Sequence, residues 1–123
     1  MKVMLSIKPE FVKEIIQGNK KYEYRKKIFK RNIDTVIVYA TMPIGKIIGE
    51  FKIGKILSDT PENIWRLTQK ESGITEDFFM EYFSNTNNAF ALRIEKFNKY
   101  DNPIDPYIKN QNFYPPQSYM YIE

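Results

Sequence analysis

The sequence predicts an α+β fold in which a small, strongly curled sheet carries short helices over one end. Stretches with an apolar period of two alternate with stretches of helical period, and glycines interrupt the longest strand pattern. Aromatic residues make up 15% of the 123 residues, which is enough for an aromatic-rich core. This length is typical of one ordinary domain. We therefore expect a single domain over residues 1–123.

The chain begins with a predicted strand, helix and strand. Val3–Ile7 is a short apolar run, which indicates a buried strand. Pro9 can begin a helix because its missing N–H costs nothing at the first position, and Gly18 is the expected left-handed residue after its end. From residue 20 to 28 the period switches to two, so the tyrosines can face a core while a glutamate and an arginine share the other face.

Two longer strand patterns follow, Ile33–Ala40 and Lys46–Leu57, with a turn at Met42–Gly45 between them. Gly49 and Gly54 lie inside the second pattern and indicate bulges or sharp bends. Neighbouring strands with glycine bends predict a curled sheet or a barrel.

Two helices are predicted in the middle of the chain. Thr60 can cap the first, with Pro61 at its first position, and it ends near Ser72–Gly73. Thr75 can cap the second. The inner face of the second helix carries four aromatic residues, Phe78, Phe79, Tyr82 and Phe83. We interpret this stripe as the packing of a lid on the sheet and not as a ligand site.

The last third of the chain predicts two strands, Ala89–Phe97 and Ser118–Ile122. Residues 101–116 are polar and hold four of the seven prolines, so no regular structure is expected there except one turn after Pro106.

Composition excludes several kinds of chemistry. The chain has no Cys and no His, so it has no disulfide, thiolate nucleophile, imidazole base or histidine-ligated metal. We predict no metal site and no cofactor. The net charge of +4 favours an anionic partner, although a protein without a nucleic-acid role is equally compatible with it. No apolar run approaches the roughly 20 residues that span a bilayer, so we expect a cytoplasmic protein with no membrane partner, monomeric by default.

One motif organises the chain: Gly18, Lys20, Glu23 and Arg25 form glycine-x-lysine-x-x-glutamate-x-arginine. Its context consists of four further segments, Leu5–Pro9, Tyr39–Pro43, Gly49–Phe51 and Pro115–Ser118. With these segments in this order, the chain resembles the ASCH family of the PUA-like superfamily. The resemblance is strongest to small bacterial, archaeal and phage members that are often labelled predicted transcriptional regulators.

The resemblance implies a PUA-like mixed β-barrel of five or six strands, with about three helices covering its openings and a cleft beside the first helix and second strand. It also implies an RNA or nucleotide ligand, and DNA is a second candidate. Some relatives are amidohydrolases acting on acetylated cytidine, and others have been proposed as nucleases. Those amidohydrolases carry a threonine where this chain has Glu23, so their activity does not simply carry over.

The motif residues make chemical sense as one wall of a cleft. Arg25 offers a planar fork to a phosphate or base edge, Lys20 a compact cation, and Glu23 an acceptor that can take a proton from water. In an ideal strand Lys20 and Glu23 point to opposite faces, so they converge only if the loop after Gly18 turns the lysine. Otherwise Glu23 and Arg25 form a solvated ion pair worth about 0–1 kcal/mol.

Glu50 is a second carboxylate residue, and it lies in a predicted strand whose neighbouring residues are mostly apolar. If it faces the same cleft, Glu23 and Glu50 can act as an acid–base pair or hold a divalent ion; otherwise it is a solvated surface group. In an enzyme we expect Lys20 or Glu23 to be catalytic, with Glu50 assisting. The full predicted ligand-binding set is Ser6, Lys8, Lys20, Glu23, Arg25, Lys26, Thr41, Glu50, Gln117 and Ser118.

Five cations lie within the seven residues Arg25–Arg31. They suit a phosphate backbone or, alternatively, a solubilising edge that blocks strand pairing. Our leading hypothesis is an RNA- or nucleotide-binding domain that uses a basic cleft built on the motif, with a regulatory role as one candidate. The alternatives are a small hydrolase of the amidohydrolase or ribonuclease type, acting on a modified nucleoside or RNA, and a module that binds an acidic protein.

Overall fold

The structure is a computed structural model and describes residues 1–123. Six strands form one sheet, with four α-helices and one short 3₁₀ helix around it. The strands are β1 (Lys2–Ile7), β2 (Tyr22–Arg25), β3 (Thr35–Ala40), β4 (Lys46–Asp59), β5 (Ala89–Ile104) and β6 (Met120–Ile122). The α-helices are α1 (Pro9–Ile16), α2 (Pro61–Thr68), α3 (Glu76–Tyr82) and α4 (Pro106–Lys109), and the 3₁₀ helix is Gln69–Glu71.

The strand order in the sheet is β2-β5-β4-β3-β1-β6. Strands β1 and β3 are parallel, and all other neighbours are antiparallel. The sheet is therefore open, and β2 and β6 are its edge strands. This mixed sheet with its covering helices confirms the predicted α+β class.

Glycines in β4 allow this strand to pass close to β5. Gly49 lies directly against the backbone of Asn98, and Gly54 lies against the side chain of Glu95, so a Cβ at either glycine would collide with its neighbour. The register between β4 and β5 shifts three times, including once just before Gly49. These register shifts are irregularities of the kind that the glycine pattern predicted.

The core consists of two apolar clusters. The larger lies between the sheet and α1 and includes Leu5, Val12 and Phe51. The smaller joins the tyrosines of β2 to Trp65 and Phe79 of the middle helices. The tyrosines of β2 therefore face a core, as the period of two predicted.

Both predicted caps of the middle helices are present. The Thr60 hydroxyl accepts from the Asn63 N–H at 3.3 Å, and the Thr75 hydroxyl accepts from the Phe78 N–H at 3.1 Å. Each of these bonds pairs a backbone N–H of the first helical turn that has no acceptor within the helix. None of the helices has the length and apolar character that crossing a membrane would require.

Two local predictions were wrong. Strand β2 begins two residues later than expected and ends three residues earlier, and it pairs with β5. Residues 101–104, expected to be irregular, complete β5 because Ile104 pairs with Ile47 at the start of β4. The turn after Pro106 forms as predicted.

Candidate functional site

A cleft of about 170 Å³ opens between β1, β2, α1 and α3, and we call it the inner cleft. Most of its wall is apolar or aromatic, whereas four charged side chains lie at one side. The lining residues are Ser6, Ile7, Lys8, Phe11, Lys20, Glu23, Tyr24, Arg25, Ile74, Phe78 and Tyr82.

A second depression of about 240 Å³ continues from the inner cleft, and we call it the basic groove. It shares Arg25 and Tyr82 with the inner cleft, and it carries three cations. Its lining residues are Arg25, Lys26, Lys27, Tyr82, Gln117 and Ser118. A ligand can therefore place an apolar part in the inner cleft and an anionic part in the groove.

The backbone after α1 turns Lys20 into the inner cleft. Gly18 adopts a φ of +82°, and the Lys20 N–H donates to the Glu14 carbonyl at 3.1 Å. The Lys21 N–H then donates to the Glu71 carbonyl at 2.9 Å, which ties this turn to the 3₁₀ helix. Because Lys20 lies before the first residue of β2, strand alternation does not apply to it.

Gly73 completes the enclosure of Lys20. A Cβ at Gly73 would lie 2.8 Å from the Lys20 Cα, closer than real Cβ contacts allow, and Gly73 has a positive φ of +67°. The absence of a side chain lets the loop after the 3₁₀ helix press against the lysine stem, so only 2% of the residue is exposed.

The Lys20 ammonium has few polar partners. Its Nζ donates to the Ser72 carbonyl at 3.2 Å and lies 4.0 Å from Oε1 of Glu23. The rings of Tyr24 and Phe11 are close by, with their centroids 4.7 and 5.4 Å from Nζ. Burial lowers the pKa of Lys20 to about 8, although the charge of Glu23 acts in the opposite direction.

Arg25 connects the two ends of the strand order. Its Nη1 donates to Oε2 of Glu23 at 3.1 Å and to the Ser6 carbonyl at 3.4 Å, while Nη2 donates to the Ser118 carbonyl at 2.8 Å. The Ser6 hydroxyl also donates to the Pro116 carbonyl at 2.7 Å. These bonds join β2 to β1 and to the segment before β6, so the cleft occupies the seam between them.

The three motif side chains therefore converge, a point that strand alternation alone left open. The side chains of Glu23 and Arg25 are only 7% and 13% exposed, so this pair is not the solvated surface pair of the alternative interpretation. Ser6 and Lys8 join them at the inner cleft.

The remaining predicted residues divide into two sets. Lys26, Gln117 and Ser118 line the basic groove. Thr41 lines neither depression; it lies beyond β3, where its N–H donates to the Ile7 carbonyl at 3.1 Å.

Glu50 lines neither the inner cleft nor the basic groove, so it does not form the pair with Glu23 that was one of the two alternatives for this residue. It accepts hydrogen bonds from the Tyr100 hydroxyl at 2.7 Å and from the Lys2 ammonium at 3.3 Å. The Tyr100 hydroxyl and Lys2 lower the pKa of the Glu50 carboxyl. These two partners hold Glu50 as part of a separate polar cluster.

Sequence reasoning missed the aromatic wall of the inner cleft. The stripe on α3 divides: Phe79 and Phe83 are buried in the core, whereas Phe78 and Tyr82 line the cleft. The four-residue spacing of Phe78 and Tyr82, which places them on one side of a helix, was the available signal. A lysine lies over each of these two rings: Lys8 Nζ is 5.2 Å from the Phe78 centroid, and the Lys26 Nζ is 4.8 Å from the Tyr82 centroid.

The fold and the site together define a small α+β domain with a buried lysine in an aromatic cleft beside a basic groove. The sequence model of the ASCH domain family matches residues 5–100, and the chain belongs to this family. The resemblance carried by the motif is therefore confirmed, as is the PUA-like mixed sheet that it implied.

The chain is similar to a protein of Zymomonas mobilis named ASCH domain-containing ribonuclease, with 29% identity over 126 residues that cover 97% of this chain and 82% of that protein. The crystal structure of ASCH from Zymomonas mobilis matches with a TM-score of 0.90 and 27% identity, covering 99% of this chain and 87% of that one. The N-terminal domain of Staphylothermus marinus McrB shares the fold alone, with a TM-score of 0.53 and 14% identity over 92% of this chain and 80% of that one.

Proposed function

We propose that this protein binds single-stranded RNA in the inner cleft and the basic groove, and that it cleaves the RNA there. The observation that carries the proposal is a buried lysine amine that opens into an aromatic cleft directly beside a groove of cations. The similarity to a Zymomonas mobilis protein named as a ribonuclease supports RNA as the substrate.

The basic groove supplies the phosphate-binding part of the proposal. Lys26 and Lys27 line it, and neither takes part in an ion pair. Arg25 is already occupied by carbonyl and carboxylate acceptors, so we assign it to holding the cleft wall in position. An unstacked base can lie against the rings of Phe78 and Tyr82, which favours a single strand over a duplex.

The inner cleft supplies the chemical part. The neutral Lys20 amine takes the proton of a ribose 2′-hydroxyl, and the 2′-oxygen attacks the adjacent phosphorus. The bond from phosphorus to the 5′-oxygen breaks, and that oxygen takes a proton from water. The products are a 2′,3′-cyclic phosphate and a 5′-hydroxyl end, and the proton on Lys20 returns to solvent. Cations of the groove stabilise the charge on the phosphoryl oxygens.

Binding is tested by titrating short RNA and DNA oligonucleotides at low and high salt. Replacing Lys26 and Lys27 with alanine should flatten the dependence of log Kd on log salt by about 0.7 for each lysine that contacts a phosphate. Exposed lysines outside both depressions, Lys13 and Lys55, provide a matched double variant that should change nothing. Equal losses in the two double variants would contradict a specific groove.

Several sequence predictions accompany this proposal and remain predictions. They are DNA as a second ligand, a regulatory role, a cytoplasmic location, a monomeric state and one domain over residues 1–123. Contacts of Ser6, Lys8, Gln117 and Ser118 with the RNA also belong to the proposal. A stable acidic protein that co-purifies without nucleic acid would instead favour the protein-binding alternative.

A further inference from the structure

The Lys20 amine lacks a close counterion, even though a carboxylate lies in the same cleft. Its Nζ is 4.0 Å from Glu23 Oε1, whereas the Arg25 Nη1 is 3.1 Å from the other oxygen of that carboxylate. Arg25 therefore holds the nearer position, and the only hydrogen bond of the Lys20 amine goes to the Ser72 carbonyl. An amine in this situation is poorly stabilised as an ammonium ion.

These are the surroundings in which a lysine acts as a nucleophile towards carbonyl compounds. We infer that Lys20 forms a covalent imine with an aldehyde carried on a phosphorylated compound. The inference goes beyond RNA cleavage, because it requires neither RNA nor a phosphodiester bond.

The inner cleft has room for the carbonyl group next to the amine. Phe11 and Tyr24 surround the Lys20 nitrogen with aromatic carbon, and Ile74 and Phe78 continue this apolar wall. Burial behind this wall favours the neutral amine, which is the form that attacks a carbonyl carbon, although the ring faces of Phe11 and Tyr24 attract the ammonium form.

The basic groove accounts for the phosphate. It meets the inner cleft at Arg25 and Tyr82, and Lys26 and Lys27 lie along it. An aldehyde at Lys20 would therefore carry its phosphate within reach of these cations. Two sources share this chemistry: an abasic site in a nucleic-acid strand, and a small phosphorylated aldehyde such as pyridoxal 5′-phosphate.

The reaction balances without an oxidant or a reductant. The nitrogen lone pair of Lys20 forms a bond to the aldehyde carbon, and the carbonyl π electrons move to oxygen. A proton passes from nitrogen to that oxygen to give the carbinolamine, and loss of water then leaves the C=N bond. The Glu23 carboxylate lies 4.0 Å from the amine and can carry this proton.

Borohydride trapping tests the inference with the full chain. One arm uses an oligonucleotide with a single abasic site, the other uses pyridoxal 5′-phosphate, and each is reduced near neutral pH and analysed by intact mass and peptide mapping. Near pH 7 the neutral fraction of Lys20 should exceed that of an ordinary lysine by about 300-fold, since its pKa is about 8 instead of 10.5. Its lower basicity offsets part of this advantage, so we expect labelling at least about tenfold faster than at exposed Lys13.

Two variants make the result specific. Lys20→Arg should abolish the trapped adduct, whereas Lys13→Arg should leave it unchanged. Trapping in only one arm identifies the source of the aldehyde. No trapping in either arm, labelling spread evenly over the exposed lysines, or an adduct that persists in Lys20→Arg would overturn the inference.

Peptide mapping of the trapped chain without substitutions identifies the labelled lysine even where a variant does not fold. The pyridoxal phosphate arm contains no RNA, so its outcome is independent of whether the protein cleaves RNA.

Discussion

Two lysine–glutamate pairs of this molecule have opposite surroundings. Lys2 and Glu50 are 3.3 Å apart, and their side chains are 45% and 23% exposed. Lys20 and Glu23 are 4.0 Å apart, and their side chains are 2% and 7% exposed. In the exposed pair the pKa that shifts is that of the glutamate, which the Tyr100 hydroxyl and Lys2 lower. In the buried pair it is that of the lysine, which burial lowers.

The comparison shows that burial lowers the pKa of Lys20 even though a carboxylate lies 4.0 Å from its amine. In the closer pair both side chains keep contact with solvent. In the more distant pair, burial keeps water from solvating the Lys20 ammonium. The Glu23 carboxylate makes its closer contact with Arg25. The proposed base and nucleophile, Lys20, therefore belongs to the pair with the longer distance between charges.

The largest expected effect is the loss of RNA cleavage in Lys20→Met. Removal of the base should lower the cleavage rate by about 10²–10⁴-fold, while RNA affinity, which depends on the groove, changes little. Gel assays of oligonucleotide cleavage measure the rate, and Lys2→Met is the matched control from the exposed pair. Equal rates for the two variants would contradict the proposed base.

The next largest effect is on stability in Arg25→Ala. This change removes the bonds to the Ser6 and Ser118 carbonyls and leaves the buried Glu23 carboxylate without its closest partner. The free energy of unfolding should fall by about 3 kcal/mol, as for other broken buried pairs. Urea unfolding measures it, with Lys2→Ala as the control, for which a loss of about 0–1 kcal/mol is expected. A loss no larger than that of the control would mean that the arginine does not hold the seam.

A third effect is a rise in stability at alkaline pH. Lys20 titrates near 10.5 in the unfolded chain and at about 8 in the folded chain, so between these values the unfolded chain holds more protons. Raising the pH therefore favours the folded chain until Tyr24, whose pKa burial raises, opposes it above its ordinary value of 10. The contribution of Lys20 to the free energy of unfolding should rise by about 2 kcal/mol from about pH 8 to about pH 10. The difference between the unsubstituted chain and Lys20→Met isolates this contribution, because burial also raises the pKa of Tyr39, Tyr82 and Tyr100.

Urea unfolding at a series of pH values measures this rise, and Lys20→Met should remove it. A rise of the same size in the variant would assign the effect to another group.

The smallest effect belongs to the exposed pair. Glu50→Gln should lower the free energy of unfolding by about 0–1 kcal/mol at neutral pH and leave RNA cleavage unchanged. Because the pKa of Glu50 is lowered in the folded chain, its contribution is present above its ordinary pKa and is lost as the pH falls. Unfolding at neutral and acidic pH measures this contribution. A fall in cleavage would show that Glu50 does act at the site.

Local patterns predicted most of the fold. The strand at Val3–Ile7, the proline-started helices and the two threonine caps all follow from residues within one turn or one strand. The extension of β5 to Ile104 was missed because it depends on a partner in β4, more than fifty residues earlier in the chain. Such pairings are set by the whole sheet and not by the composition of the segment.

For the candidate site, too, local sequence predicted some features and remote contacts determined the others. The motif named Lys20, Glu23 and Arg25, but the carbonyl that receives the lysine belongs to Ser72, 52 residues away. The partners of Glu50 are equally remote, and they determine that it does not face the cleft. Sequence spacing could therefore identify the reactive groups but not which of them would meet.

The hydrogen bonds of Arg25 limit which substitutions the open edge of this sheet can accept. A ladder of backbone bonds closes a barrel with many interchangeable contacts, whereas here one guanidinium group bridges the seam with bonds to two carbonyls, Ser6 and Ser118. The inner cleft lies at this opening of the sheet, and the Arg25 side chain forms part of its wall. Substitutions that reshape the seam therefore also alter the closure of the fold, so specificity and stability cannot vary independently at this position.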